Sequence, residues 1–126
     1  MDSQKISPAT LTKAVLRASE RLGLVDALPA ILGLSAPEIA DMHNEQRLLD
    51  PSRQEWTAAS ELVSLYRSLL TALSSVDEVS TWLRTPHHSL GAAPMELLSS
   101  ADGRGRVLRY LDAVQKYEIK LPQRKH

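Results

Sequence analysis

The chain has no cysteine among its 126 residues. Without thiols it can form no disulfide framework, no thiolate nucleophile and none of the usual cysteine-based structural zinc sites. A reducing, cytoplasmic setting fits this composition, and we expect that location.

Long hydrophobic runs are also absent. The longest uninterrupted apolar run, Ala27 to Leu34, has eight residues and includes a proline and a glycine. A helix that spans a bilayer needs about 20 consecutive apolar residues, so this run is too short. No signal-peptide pattern precedes the first predicted helix. We therefore expect a protein with no membrane partner.

The formal net charge is zero, but the charges are unevenly distributed. Residues 1–103 carry eight Lys/Arg and thirteen Asp/Glu, a net charge of −5, whereas residues 104–126 carry seven and two, a net charge of +5. A basic terminal segment suits a phosphate backbone, an acidic protein cleft or an anionic ligand, and it is also compatible with a plain solvated helix and tail.

The sequence offers no pattern typical of an enzyme. No strand pattern is evident, and no glycine-rich loop is placed to bind phosphate. The adjacent His87 and His88 have no third ligand nearby, so we interpret them as solvent-facing loop histidines. Ser35, Ser75 and Ser89 fit helix caps or turns. We expect no catalysis, no cofactor and no metal.

Three helices are predicted in residues 1–50. Ser7 and Pro8 start an amphipathic helix that ends before Gly23, and Asp26 is placed to cap a short second helix that Gly33 ends. A Ser-x-x-Glu capping box at Ser35 then starts a third helix that runs to about Asn44. Two short helices joined by a tight turn are the outline of a helix-turn-helix, so we predict a helix-turn-helix domain over residues 1–50.

In this unit the third helix would enter the major groove of DNA. The predicted DNA-binding residues are Ser35, Ala36, Pro37, Glu38, Met42, His43 and Arg47. Residues 1–50 carry five basic and seven acidic side chains, and phosphate attraction dominates DNA affinity. Apart from Arg47, only Lys13, Arg17 and Arg21 compensate locally. A three-helix packing unit that binds no DNA is therefore the alternative.

Asp50 and Pro51 repeat the pattern of a cap followed by proline, so the longest predicted helix runs from Pro51 to about Leu73. Its apolar stripe recurs every three and four residues and serves either the core or self-association. The stripe consists of Trp56, Ala59, Val63, Tyr66, Leu70 and Leu73. We expect a homodimer and an all-α fold, with a helix-turn-helix unit, a linking helix and a small C-terminal helical domain over residues 51–126 with a basic tail.

Residues 81–106 are dense in helix breakers. Two of the seven prolines and three of the five glycines lie there. They predict a short helix that ends near Leu83, a turn at Leu90 and Gly91, a helix of one or two turns after Pro94, and a last helix from about Gly103 to Tyr117. The last helix is expected to bury Val107, Leu111 and Val114.

The spacing of these residues resembles a known family. The pattern is Trp82-Leu83-x-Thr85-Pro86-(x)3-Leu90-Gly91-(x)2-Pro94-(x)2-Leu97-Leu98-(x)4-Gly103-(x)3-Val107-(x)3-Leu111. It is similar to the toxin-binding domain of Xre/MbcA/ParS antitoxins, which neutralise RES-domain toxins. The resemblance covers about Ser52 to Tyr117. It implies that the preceding unit, residues 1–50, is the Xre-like helix-turn-helix domain with which this group binds DNA. Many relatives have Gly-Gly where this chain has Gly91-Ala92.

The resemblance implies a type II antitoxin whose partner is a RES toxin, an enzyme that consumes NAD. The antitoxin would cover the NAD pocket and repress its own operon. The implied toxin-binding residues are Trp82, Leu83, Leu90, Gly91, Pro94, Leu98, Arg104, Lys116, Lys120, Arg124 and Lys125. Two alternatives stay open, namely a helix-turn-helix regulator without a toxin, and a protein-binding module that has lost DNA binding.

Overall fold

The computed structural model describes residues 6–116, with side chains described to residue 113. Over this range the chain is all-α, as predicted, and no β-strand forms apart from one isolated bridge between His87 and Ala92. No helix in the described range is long and apolar enough to cross a membrane.

The first helix, α1, spans Pro8–Leu22, as the sequence predicted. The Ser7 side chain accepts a hydrogen bond from the Thr10 backbone N–H, and Gly23 ends the helix in the left-handed conformation at φ 73°. The apolar face of α1, with Leu11, Val15 and Leu22, lies in the core.

The second helix starts differently from the prediction. Val25–Ala27 forms a 3-10 turn that contains Asp26, and α2 (Leu28–Leu32) follows with no side-chain cap. Asp26 therefore caps no helix, because it lies inside the 3-10 turn and Ala27 is the residue that precedes α2. Gly33 ends α2, as predicted.

The third helix, α3, spans Ala36–His43 and begins with the predicted capping box. The Ser35 backbone N–H donates to Glu38 Oε1 at 2.9 Å, and the Glu38 N–H donates to Ser35 Oγ at 3.2 Å. The Leu34 N–H donates to the Pro29 carbonyl at 3.0 Å, so local hydrogen bonds fix both ends of the turn between α2 and α3.

The long helix, α4, spans Gln54–Ala72 and begins three residues later than predicted. Asp50 Oδ1 accepts hydrogen bonds from the N–H and hydroxyl of Ser52, at 2.9 and 2.8 Å. This closes residues 50–53 into a turn, so Arg53 becomes the N-cap residue.

The face of α4 that enters the core also differs from the predicted stripe. The central buried residues are Ala58, Leu62, Leu65 and Leu69. In the predicted stripe Ala59 and Leu73 are buried, but Trp56, Val63 and Tyr66 are half-buried and Leu70 is 38% exposed. The stripe is therefore the edge of the buried face, with one side open to solvent.

The C-terminal part consists of α5 (Val76–Arg84), a turn, α6 (Pro94–Leu97) and α7 (Ala101–Lys116). Ser75 accepts from the Glu78 N–H at the start of α5, as predicted. Val107 and Leu111 of α7 are buried, as predicted. The Val114 side chain, also predicted to be buried, lies outside the described side chains.

One continuous hydrophobic core joins the two predicted domains. It includes Val15 and Leu28 from the N-terminal helices, Leu65 from α4, and Leu83 and Leu111 from the C-terminal helices. Helix α1 packs against α4 and α5, while α4 also packs against α2 and α7. The C-terminal helices are therefore built directly onto the N-terminal unit.

Candidate functional site

An aromatic cluster stands at the centre of the C-terminal part. The Trp82 ring lies 4.8 Å from the His87 ring and 6.3 Å from the Tyr110 ring, measured between centroids. Trp82 is 3% exposed and His87 is 6% exposed. The cluster joins the end of α5, the following turn and α7, so it fixes their relative positions.

His87 was predicted to face solvent, but it is buried and has a structural role. Its Nε2 lies 3.1 Å from the carbonyl oxygen of Trp82 and hydrogen-bonds this oxygen near the end of α5. The neighbouring His88 is exposed. The described residues contain no group of three or more His, Cys, Asp or Glu placed to hold a metal.

The turn after α5 is closed by its own backbone. The His87 N–H donates to the Ala92 carbonyl at 3.2 Å, and the Gly91 N–H donates to the His87 carbonyl at 2.9 Å. Gly91 has φ 76°, a left-handed conformation that glycine adopts without steric cost. Arg106 Nη2 donates to the Leu90 carbonyl at 2.8 Å, so α7 holds this turn from outside.

Arg104 anchors α7 to the rest of the molecule. Its Nε donates to Glu61 Oε1 at 2.7 Å, and its Nη1 donates to the carbonyls of Leu98 and Ile31 at 3.0 and 3.3 Å. The residue is 4% exposed. Its hydrogen bonds link α7 to α4, to the end of α6 and to α2.

Gly103 permits the close approach of α6 and α7. A Cβ at this position would collide with the carbonyl group of Leu97. The Gly103 N–H also donates to Ser100 Oγ at 2.9 Å. Glycine is required here for space between two backbone segments.

The structure separates the predicted toxin-binding residues into three groups. Several are interior residues with no free surface, namely Trp82, Leu83, Leu90, Pro94, Leu98 and Arg104. Gly91 is exposed in the turn. The Lys116 side chain and all of Lys120, Arg124 and Lys125 lie outside the described residues.

The position of Arg104 corrects the expectation that it approaches a partner. A guanidinium that donates to three protein acceptors and is only 4% exposed presents almost no surface for direct recognition of a partner. The buried apolar residues of the motif likewise shape the domain and do not themselves form its outer surface.

The predicted DNA-binding residues are also divided. Ser35, Ala36, Pro37 and His43 are exposed, but Met42 is 2% exposed and belongs to the core. Met42 is therefore a packing residue, because its position on α3 faces inward. Glu38 and Ser35 bond to each other in the capping box.

Arg47 is engaged by carboxylates. It donates to both carboxylate oxygens of Glu55, at 3.1 and 3.2 Å, and lies 3.9 Å from Glu38. Glu55 is 3% exposed and also accepts from the Asp50 N–H at 2.9 Å. The hydrogen bond to Glu55 raises the pKa of the Arg47 guanidinium above its usual value. This fork joins the connection after α3 to the start of α4.

Sequence reasoning missed four side chains that hold the C-terminal part in place. They are Arg84, His87, Arg106 and Tyr110. The three basic ones bond to backbone carbonyls, which carry no side-chain signal in the sequence. Tyr110 lies three residues after Val107 on the same face of α7, so helical spacing gave a signal for it.

Comparison with protein families gives one match. Residues 68–116 match the family described as the antitoxin Xre/MbcA/ParS C-terminal toxin-binding domain. The match is shorter than the resemblance predicted from Ser52 to Tyr117, and it covers α5, α6 and α7 with the end of α4. A search of curated proteins finds no match. Residues 68–116 are therefore similar to the toxin-binding domain of the Xre/MbcA/ParS antitoxins, a match that supports an antitoxin role and implies a toxin as partner.

Proposed function

We propose that this antitoxin neutralises a RES-domain toxin that consumes NAD, and that it acts by covering the NAD pocket. The supporting observation is the motif from Trp82 to Leu111, whose apolar members are buried together in the core beside the Trp82, His87 and Tyr110 cluster. The motif builds a rigid support for α7, the helix that leads into the basic C-terminal segment. The protein inhibits by contact and needs no catalysis or cofactor of its own.

The direct contacts in this proposal come from exposed residues around the buried motif. Pro86, His88 and Gly91 are exposed in the turn, and Arg106 and Arg109 are exposed on α7. The buried members act indirectly, because they hold this turn against α7. Substitution of a buried member would then weaken toxin binding through loss of shape.

The C-terminal segment supplies the occluding part of the proposal. Lys116, Lys120, Arg124 and Lys125 would approach the active-site cleft, where their positive charges can pair with acidic or polar groups of the pocket wall. A segment that only blocks access leaves the enzyme intact, so activity returns when the antitoxin is degraded.

Repression of the operon through DNA binding is the second part of the proposal. Two short helices and a tight turn support it, with Ser35, Ala36, Pro37 and His43 exposed at α3. The acidic side chains of Asp41 and Glu45 are exposed nearby and oppose phosphate contact. A mobility shift with duplex DNA from upstream of its gene, at low and high salt, tests this part directly.

We also propose that the chain forms a homodimer in the cytoplasm. The half-buried edge of α4 offers Trp56, Val63 and Leu70 at seven-residue intervals, a spacing that suits helix-to-helix packing. Their neighbours at three- and four-residue spacing within α4 are Ala59, Ser60, Tyr66 and Arg67, of which Arg67 alone is charged. Replacement of Leu70 by Glu would then shift the mass in solution from dimer to monomer, whereas Thr71→Glu one residue away would shift it less.

Co-expression with the adjacent gene tests the proposed partner. We expect the toxin alone to deplete cellular NAD and arrest growth, and the pair to restore both. Recovery of growth with NAD unaffected by the toxin would show a toxin of another class. Failure of the two proteins to co-purify would reject direct inhibition.

A further inference from the structure

Three basic residues form a straight row on the outer face of α1. Lys13, Arg17 and Arg21 follow each other at intervals of four residues, so they share one side of the helix. Successive members are about 6 Å apart along the axis, from a rise of about 1.5 Å per residue. All three are exposed. We call this row the α1 basic ridge.

No carboxylate neutralises the α1 basic ridge within the described part of the chain. The ion pairs found there involve Arg47, Arg53 and Arg104, and none of the ridge residues. Glu20 is the one exposed acidic residue on α1 beside the ridge, three residues after Arg17. The ridge therefore keeps a net positive charge in a protein whose first 103 residues carry −5 overall.

The ridge continues onto the toxin-binding domain. Helix α1 packs against α5, which belongs to residues 68–116. Arg84, in the last turn of α5, donates from Nη2 to the Gly23 carbonyl at 3.0 Å and from Nη1 to Ser80 Oγ at 2.6 Å. These bonds hold a fourth exposed cation beside Gly23, at the C-terminal end of α1 and two residues after Arg21.

We propose that the α1 basic ridge, extended by Arg84, is a second contact surface for the toxin and faces an acidic surface on it. The inference rests on the toxin partner that the family match of residues 68–116 implies, and it extends the binding surface beyond that domain. We assign the ridge to the toxin and not to DNA for one reason. The main packing partners of α1 are α4 and α5, whereas the helix-turn-helix outline consists of α2 and α3.

Exposed charges of this kind act mainly on the rate of association. Charges at the rim of an interface attract the partner before contact and are screened by salt, whereas they add little to the lifetime of the complex. The ridge should therefore accelerate binding at low ionic strength and have a small effect on dissociation.

The test measures association of the full chain with the product of the adjacent gene at about 50 mM and 500 mM salt. The variant K13Q/R17Q/R21Q removes the charges, and K13R/R17K/R21K keeps them at the same positions. We expect the neutral variant to lower the association rate about tenfold at low salt, with little change at high salt or in dissociation. The charge-keeping variant should match the original protein, and E20Q should associate slightly faster.

Equal association rates for the original protein and the neutral variant would overturn the inference while leaving the toxin partner in place. Loss of affinity for duplex DNA in the neutral variant, with toxin association unchanged, would also overturn it and assign the ridge to DNA. Absence of toxin binding by the original protein would reject the proposed partner, and with it the role of the ridge.

Discussion

Arg104 Nη1 donates a hydrogen bond to the carbonyl oxygen of Ile31 at 3.3 Å, across a sequence separation of 73 residues. The bond joins the last helix of the toxin-binding domain to the short helix of the predicted helix-turn-helix. The same guanidinium bonds to Glu61 at 2.7 Å, so three helices meet at one side chain. The antitoxin domain is thus attached to the N-terminal unit through a buried cation as well as through the core.

Replacement of Arg104 by Ala should reduce the free energy of unfolding by about 3 kcal/mol, because two buried carbonyls lose their donor and Glu61 loses its partner. Urea unfolding measures the change. Arg109→Ala, at an exposed position on the same helix, should change stability by less than about 0.5 kcal/mol. Equal effects of the two substitutions would show that the buried contacts contribute little.

Substitution by alanine at two glycines of α7 should change the stability of the protein in opposite directions. Gly103→Ala places a Cβ against the Leu97 carbonyl and should cost about 1–3 kcal/mol, because α6 and α7 must move apart. At Gly105 the Cβ meets only Arg109 Nη1, at 3.2 Å, and that side chain is flexible. Gly105→Ala should therefore stabilise the helix by about 0.5–1 kcal/mol. Thermal unfolding of both variants measures the contrast, and a stable Gly103→Ala protein would contradict the packing account.

Local signals predicted most of the helices because they depend on neighbouring residues. Helices begin after the N-cap residues Ser7 and Ser35 and end at Gly23 and Gly33, which are left-handed, as expected. At Asp50 the prediction was wrong. An aspartate before a proline can cap a helix or close a turn, and here the Ser52 N–H bonds to Asp50 Oδ1 and closes a turn.

Acid should destabilise the caps of the N-terminal unit. The hydrogen bond from the Ser35 backbone lowers the pKa of Glu38 below its ordinary value of 4.5, and the bond from the Ser52 backbone lowers the pKa of Asp50 below 3.8. Because the folded pKa values are lower than the unfolded ones, these contributions are fully present above about pH 5 and are lost as pH falls through the folded pKa values.

Urea midpoints measured from pH 6 to pH 3 test this pH dependence. The variant E38Q/D50N should lose less stability over that range than the original protein, because its caps no longer titrate. D41N/E45Q serves as the control. It neutralises two exposed carboxylates for which no hydrogen bond or ion pair is found in the described part of the chain. An identical pH profile for the original protein and E38Q/D50N would contradict the prediction.

Deletion of residues 118–126 should relieve inhibition of the toxin while leaving the fold intact. The deleted segment follows α7 and contains three of the predicted contact residues, namely Lys120, Arg124 and Lys125. Growth of cells that co-express the toxin measures protection, and circular dichroism checks the fold. A truncated protein that still protects cells fully would refute the role of the tail.

The site was less predictable than the fold. The motif from Trp82 to Leu111 identified the family, but spacing alone did not show that its apolar members and Arg104 are interior residues. Burial of Arg104 depends on Glu61 and Ile31, which are 43 and 73 residues away in the chain. The predicted apolar stripe of α4 lies at the edge of the buried face and not at its centre. Its apolar residues at heptad spacing were chosen over Leu62, Leu65 and Leu69, which are the buried ones.

The central claim is inhibition of an NAD-consuming toxin by direct contact, and the rate of NAD consumption by the purified neighbouring gene product tests it most directly. As the full antitoxin chain is titrated in, the account predicts that the rate falls to background once every toxin molecule is bound. A stable complex whose rate of NAD consumption equals that of the free toxin would contradict the claim.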